Sequence, residues 1–311
     1  MDISIITINY NNYLLTLNFI ESILKFTSTK ISYEIIVVDN CSKIEDYNLL
    51  KNNLTKYKKN IRLVRSNINT GFGGGNMYGT LFAKGEYLAF INNDILFTED
   101  CLTSLLKYMI ENPDVGVSTP QQLNRHQKPV SCFDYYHGVR KELFGRRFIE
   151  LTSKKTKREN KLYTKTVTVD FLQGCFMFFD THKFAEIGGF DTNLFLYFEE
   201  MDVCYRLEKK GYTSVLVPET KFIHLHGKST AKNYLIKKEL KISQLYIIRK
   251  NYSYLKFSII RLIMLVKTFF KSIFKPNYWS LFIIILCGTF IENSLKQKQK
   301  MIFNQDSFHE I

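Results

Sequence analysis

The chain has 311 residues, 45% of them hydrophobic, with a formal charge of +14 and an isoelectric point near 9.3. That length suits one large domain with an appendage, or two domains, and rules out a chain too polar to bury a core; the charge points to an anionic partner such as nucleic acid, an acidic membrane surface or a phosphorylated substrate. The six cysteines (41, 101, 132, 175, 204 and 287) form no C-x-x-C pair, which argues against a zinc knuckle or a disulfide framework and for a reducing cytoplasm.

The N-terminus has no basic segment, long apolar stretch or small-residue cleavage site, and Ile3 to Ile8 reads as a buried strand rather than a secretion signal. Asn9-Tyr10-Asn11-Asn12 is a turn that can cap the next helix, in which Leu14, Leu17, Ile20, Ile23 and Leu24 recur at helical spacing. Glu34 to Val38 is a second strand ending on Asp39-Asn40-Cys41-Ser42, Glu45 to Tyr57 a helix, and Ile61 to Arg65 a third strand. Asn69 to Gly75 reads as a glycine-rich loop leading into a helix over Met77 to Lys84. Tyr87 to Ile91 is a fourth strand, short and apolar, and it stops abruptly on Asn92-Asn93-Asp94. Four such strands, each followed by a helical pattern, describe successive βαβ units: an α/β fold with a mostly parallel sheet flanked by helices.

In an open parallel sheet ligands bind beyond the carboxyl ends of the strands. Asp39, Asn69 with its glycines, and Asp94 should therefore converge on one edge. Asp39 can accept hydrogen bonds from a nucleobase or a ribose hydroxyl. Asp94 is a hard oxygen donor, and Asn92 and Asn93 add amide groups, a set that suits a divalent cation carrying a diphosphate. A polar turn after a core strand is the plainer alternative. The glycines at 71, 73, 74 and 75 would admit a diphosphate close to the backbone. No Gly-Lys-Ser/Thr follows, so this is not a Walker loop, and such a segment often only packs a helix against a sheet.

Glu99 to Glu111 reads as another helix and Val115 to Thr119 as another buried strand. From Gln121 to Thr166 the chain is polar, aromatic and basic without a period, and the charge run Lys154 to Arg158 is read as a solvated loop. Phe171 to Phe179 is apolar again, broken by Gly174, and Gly188-Gly189-Phe190-Asp191 is a turn with special backbone needs. An aromatic and acidic cluster runs from Phe195 to Asp202, and Val215 to Val217 reads as a short strand ahead of Pro218. Between Lys232 and Lys275 eleven Lys or Arg face one acid, Glu239, with Phe and Ile interleaved, and a second apolar run spans Trp279 to Ile291. Neither run is long enough without a charge to span a bilayer. The expected domains are thus 1–231 and a basic, apolar helical region, 232–311, lying on an anionic membrane surface. A helical hairpin packed on the first domain is the other reading.

The motifs Ser4-Ile-Ile-Thr-Ile-Asn-Tyr-Asn11, Ile35-Ile-Val-Val-Asp-Asn-Cys-Ser42, Asn69-Thr-Gly-Phe-Gly-Gly-Gly75, Phe90-Ile-Asn-Asn-Asp94, Gly174, Gly188-Gly-Phe-Asp191, Tyr197-Phe-Glu-Glu-Met-Asp202 and His224-x-x-Gly-x-Ser229 occur in this order. Together they resemble the inverting glycosyltransferases of family 2, which have the nucleotide-sugar-binding GT-A fold. The likeness covers roughly residues 1–230 and is nearest the rhamnosyltransferase-like branch that builds bacterial surface polysaccharides. It implies that Asn9, Tyr10 and Asp39 hold the nucleoside, that Asn69 and Gly71 approach the donor, and that Asp94 is the metal-binding carboxylate of an Asp-x-Asp motif whose first position is Asn92. It further implies a role for His224 toward metal (Mn²⁺ or Mg²⁺) or diphosphate. Glu200 takes the place of the general base, with Gly189, Phe190, Asp191, Glu199 and Asp202 on the acceptor side. In this chain Glu200 replaces the usual Asp, and Met77 stands where relatives often carry Asn.

The implied activity is transfer of a sugar from a dTDP- or UDP-sugar, rhamnose among the candidates, to a saccharide or lipid-linked saccharide acceptor at the cytoplasmic membrane face. A sugar-phosphate nucleotidyltransferase would want glycines and basic residues straight after the first strand, and Ile8-Asn-Tyr-Asn-Asn12 has neither. A nucleic-acid-binding protein is disfavoured because the positive charge gathers at the C-terminus while the expected ligand edge is acidic.

Overall fold

A computed structural model of the chain describes residues 1–57, 60–225, 234–288 and 291–302. Its first half follows the βαβ pattern. Strands β1 (Ile3–Asn9), β2 (Tyr33–Asn40), β3 (Ile61–Ser66) and β4 (Tyr87–Ile91) pair in parallel in the order β3-β2-β1-β4, joined by helices α1 (Tyr13–Phe26), α2 (Ile44–Leu54) and α3 (Gly71–Thr80). The register sets Asn9 beside Asp39 and Asp39 beside Arg65, so three polar strand ends stand level.

All the glycines at 71, 73, 74 and 75 lie inside α3, six residues before the expected helix start. The reason is close packing. A Cβ on Gly75 would meet Ile8 Cδ1 at 2.8 Å, and one on Gly79, a turn later on the same face, would meet Ile6 Cγ2 at 2.5 Å. Asn12 precedes α1 but its side chain makes no capping bond; Asp46 of α2 instead accepts from the Tyr13 amide at 3.0 Å.

The second half departs from simple alternation. After β5 (Ile95–Phe97) and α4 (Cys101–Glu111) comes β6 (Val115–Asn124), followed by short β7 (Pro129–Val130), β8 (Phe133–Asp134), α5 (Val139–Phe144), α6 (Arg146–Thr152) and β9 (Val167–Val169). The apolar run from Phe171 divides at Gly174 and Cys175: β10 (Phe171–Leu172) pairs with β8, while β11 (Phe176–Asp180) enters the main sheet antiparallel between β4 and β6. Then follow α7 (Thr181–Glu186), α8 (Glu199–Lys209) and β12 (Thr213–His224), which is parallel to β6 and antiparallel to β5. The strand expected to end before Pro218 continues to His224, because its register shifts between Val217 and Lys221 and Pro218 sits in that irregularity, where no ladder N–H is missed.

Helices α1, α2 and α4 bury Phe19, Ile20, Leu50 and Leu105 against one face of this mostly parallel sheet. The other face holds Phe184, Met201, Val203 and Leu207 of α7 and α8, together with Ile247 of α9 (Tyr234–Asn251). The basic C-terminal region thus begins with a helix embedded in the same core. Helices α10 (Tyr254–Phe274) and α11 (Trp279–Leu286) pack on α9 through Leu245, Ile248, Ile260, Met264 and Ile285. No described helix is long and apolar enough to cross a membrane.

Candidate active site

The strand ends are knitted by a buried polar seam. Asn9, fully buried, donates through Nδ2 to Asp39 Oδ2 at 3.0 Å, Ser42 Oγ at 3.2 Å and Asp46 Oδ1 at 2.9 Å, and accepts from Thr16 Oγ1 at 2.8 Å. Thr16 in turn accepts from Asn93 Nδ2 at 2.9 Å, so the ends of β1, β2 and β4 form one network. Asp39 has no solvent exposure, and its Oδ1 receives the Ser42 amide at 3.1 Å with Arg65 Nε 3.5 Å away. Asn9 and Asp39 are therefore held rigidly by each other. Tyr10, 47% exposed, is the member of the expected nucleoside set that offers a free surface.

Asn69 Oδ1 accepts from the Gly71 amide at 2.9 Å and from Asn40 Nδ2 at 3.1 Å. Asn40 also donates to the Gly71 carbonyl at 3.0 Å and accepts from the Thr70 amide at 3.0 Å. This buried amide pins the start of α3. Gly71 has φ +76, and a Cβ there would lie 2.1 Å from the Phe195 carbonyl oxygen, so the turn and the loop before α8 are in direct backbone contact. Neither Asn40 nor Arg65 is among the site residues expected from the sequence. The signal available for both was their position, a polar residue at the carboxyl end of an otherwise apolar strand.

Asp94 is 2% exposed. Its Oδ1 lies 3.2 Å from His224 Nε2 at the end of β12 but receives no well-aligned hydrogen bond. The other imidazole nitrogen, Nδ1, is 3.2 Å from Gln122 Nε2. A buried carboxylate oxygen without an aligned donor, beside an imidazole, is a half-built oxygen and nitrogen donor set. Among the described residues no third His, Cys, Asp or Glu completes it, so a cation there would draw further oxygens from a ligand. The two residues fit such an ion. Asn92 is partly exposed, and its backbone N–H donates to the Cys175 carbonyl at 2.9 Å. His226, Gly227 and Ser229 lie outside the described residues.

Glu199 and Glu200 open α8 behind Tyr197 and Phe198, whose φ values of 75° and 71° are left-handed. Such backbone persists only where its surroundings force it, and it gathers at functional sites. Of the six described non-glycine residues with positive φ, four (Asn11, Cys41, Tyr197 and Phe198) flank this edge. Glu200 keeps part of its surface, and burial raises its carboxyl to about 7. Glu199 is 1% exposed, its Oε1 has no partner, and burial, with the Glu200 charge beside it, pushes its carboxyl well up. A Cβ on Gly174 would stand 3.8 Å from Glu200 Cβ and 3.5 Å from the Phe72 ring, so Gly174 and Cys175 connect Glu200 to Asn92 and the Asp94 turn.

The remaining acceptor-side residues divide. Asp202, with no exposure, is consumed by Arg206 at 2.7 Å, Lys250 at 3.1 Å and Asn251 at 3.1 Å, and ties α8 to α9. Phe190 is buried among the rings of Phe72, Phe90 and Phe184. Gly189, at φ +67, rests on Met77, whose sulfur accepts from the Phe190 amide at 3.3 Å. Met77 thus takes a packing role. Burial of Asp191 opposes its charge, but Lys250 at 2.7 Å, the Asn193 amide and Tyr246 outweigh that and hold its carboxyl below the usual range. A cavity of about 290 Å³ opens over Gly188 to Thr192, Arg206 and Lys250.

The family model described as glycosyl transferase family 2 matches residues 4–187. Over 203 residues the chain is 32% identical to the rhamnosyltransferase WbbL of Escherichia coli, covering 62% of this chain and 72% of that protein. Over 76 residues, 24% of this chain and 25% of the relative, it is 33% identical to the N-acetylglucosaminyl-diphospho-decaprenol L-rhamnosyltransferase of Mycobacterium tuberculosis. The fold is similar to that of GalNAc-T7, solved with UDP, GalNAc and Mn²⁺, with a TM-score of 0.61 at 15% identity over 80% of this chain and 47% of that one. The expected GT-A architecture is thereby met, and the chain belongs to glycosyl transferase family 2.

Proposed function

We propose that the protein is an inverting transferase that moves a hexose, rhamnose being the first candidate, from a dTDP- or UDP-sugar to a hydroxyl of a saccharide or lipid-linked saccharide in bacterial surface polysaccharide or lipopolysaccharide biosynthesis. The sugar is suggested by the names of the Escherichia coli and Mycobacterium relatives, and the lipid-linked acceptor by that of the second. In this reading Tyr10 stacks or bonds with the nucleoside, Asp39 and Asn9 fix the strand ends around it, and Asn69 and Gly71 border the diphosphate. Asp94 and His224, with Asn92 and Asn93 beside them, would hold a divalent cation, Mn²⁺ or Mg²⁺, which supplies charge neutralisation for the departing diphosphate.

The observation that carries the reading is Glu200, a partly exposed carboxylate raised to about 7 at a strained helix start, one residue-to-residue contact from the segment that binds Asn92. Inversion needs a single base to take the acceptor proton as the hydroxyl attacks the anomeric carbon, and a pKa near the working pH suits that task. Glu199, buried and pushed toward its neutral form, keeps a second negative charge away from the same spot. Asp202 and Asp191 position the helix and turn through α9. The test is Glu200→Gln, which keeps shape and removes basicity. Calorimetry with UDP or dTDP and Mn²⁺ should show wild-type binding while sugar transfer falls ~100- to 10,000-fold. Near wild-type transfer by Glu200→Gln, with Glu199→Gln inactive, assigns the base to Glu199 instead. A donor panel read as nucleoside diphosphate release identifies the sugar.

A further inference from the structure

We infer that the outer face of α10 and α11 is a docking surface for an anionic lipid bilayer, on which the protein lies without crossing it. The inference rests on surface geometry alone and is independent of the catalytic reading.

Leu255, Ile259, Leu262, Val266, Phe270 and Ile273 follow one another at intervals of four, three, four, four and three residues, which places them on one side of the helix. Each is between 40% and 71% exposed. The opposite side of α10 is the packed one, where Ile260 and Met264 meet α9 and α11. An apolar stripe at helical spacing belongs in a core, and here it faces outward along a helix of 21 residues, about 30 Å long. Phe269 extends the stripe to α11 through ring contacts with Trp279 and Phe282, each at 5.7 Å between centroids. On α11 Trp279, Ile283 and Leu286 repeat the pattern, 41%, 53% and 52% exposed.

The charge of the helix selects its partner. Residues 254–275 contain no acid; Lys256 and Lys267 stand about 80–100° around the helix from the stripe, and Lys271 and Lys275 lie further round, toward the packed side. Some of them are placed by local contacts: the Lys267 ammonium donates to the Glu142 carbonyl, and that of Lys271 stands 4.3 Å from the Tyr278 ring centroid. An apolar face on a helix without acids, flanked on one side by lysines and with Trp and Tyr at its end, matches the boundary between acyl chains and acidic headgroups. A second copy of the chain is a poorer match, because a two-fold contact through this stripe would bring together two positively charged helices that carry no acid. No described helix is long and apolar enough to span, so the face would lie in the headgroup plane.

Co-sedimentation of the full chain with vesicles of phosphatidylcholine alone, and of phosphatidylcholine with phosphatidylglycerol, tests this. Binding should require the anionic lipid and weaken with added salt. Leu262→Glu with Phe270→Glu, both at exposed positions, should abolish it, and Lys271→Glu with Lys275→Glu should weaken it about tenfold or more. Leu81→Glu, at a 74% exposed leucine on the C-terminal end of α3, should bind as the wild type does. Equal binding to both vesicle types, or no loss in the stripe variants, overturns the inference. So does a wild-type chain that ignores vesicles and is a dimer by light scattering, made monomeric by Leu262→Glu with Phe270→Glu. Nucleoside diphosphate release measured on the same proteins separates the two readings: vesicle binding without turnover of any donor defeats the catalytic reading alone.

Discussion

Asp94→Asn removes the charge of the buried oxygen that lies 3.2 Å from His224 and leaves the side-chain shape almost unchanged. Its expected outcome is a folded protein whose binding of a nucleoside diphosphate no longer depends on Mn²⁺; identical wild-type binding in Mn²⁺ and in EDTA would remove the metal from Asp94. Glu200 makes a pH prediction. Its carboxyl is raised to about 7 by burial and must be ionised to accept a proton, so kcat/KM should rise with pH up to about 7 and level off above it. A bound cation acts in the opposite direction and would move the limb down. The limb should vanish in Glu200→Gln, and a residual rate with an unchanged pH limb would assign the titration elsewhere. The same burial acts on stability with a definite sign. Folded Glu199 and Glu200 bind protons more tightly than the unfolded chain does, so their burial destabilises the fold increasingly as pH climbs from the ordinary carboxyl range through their raised values.

Among the elements, α3 shows how a chemical motif can be a packing device. Gly75 and Gly79 let the helix lie on Ile8 and Ile6, whereas a Cβ on Gly73 would stand at ordinary contact, 3.4 Å, from Glu199 Cγ. Gly79→Val forces a branched side chain into the Ile6 contact and should cost ~1–3 kcal/mol, read as a lower denaturant midpoint with an unchanged slope. An unchanged midpoint would mean that α3 can lift from the sheet at no cost. The first four strands were legible in the sequence because each is a short apolar run with a polar stop, a pattern that double-sided burial imposes. The direction of β11 was not: Phe176, Met177, Phe178 and Phe179 are all buried, and a run without alternation carries no information about which neighbour it joins or which way it runs. The polar ends of β1, β2 and β4 could be read, but the role of Asn40 could not, since its partners Asn69 and Gly71 are about thirty residues away.

At the scale of the whole molecule the C-terminal region is wired into the first. Lys250 and Asn251 reach Asp202, Tyr246 reaches Asp191, and Ser243 Oγ donates to the Leu196 carbonyl at 2.7 Å. Glu239, 1% exposed, depends on Ser294 Oγ and the Leu295 amide, both at 2.7 Å. A truncation after Ser253 removes both donors and uncovers Leu245 and Ile248, so it should lower the thermal midpoint as well as weaken vesicle binding. Ser294→Ala isolates the first effect at about 1–3 kcal/mol, with vesicle binding retained. A truncated protein with an undiminished midpoint would mark 254–311 as a separable appendage.

Two properties were determined by the sequence alone: the parallel first half of the sheet, through its repeating apolar runs, and the polar character of its carboxyl edge, through Asp39, Asn69 and Asp94. Local pattern suffices there because burial and turn chemistry act over a few residues. Tertiary structure decided which carboxylates serve structure and which stay available. Asp202 and Glu200 are two positions apart on one helix, yet Asp202 meets Arg206 of its own helix and Lys250 of α9 while Glu200 stands beside Gly174 with its pKa raised. Successive helical positions are rotated by about 100°, so neighbours in sequence meet different environments, and only the packed neighbours set their charge.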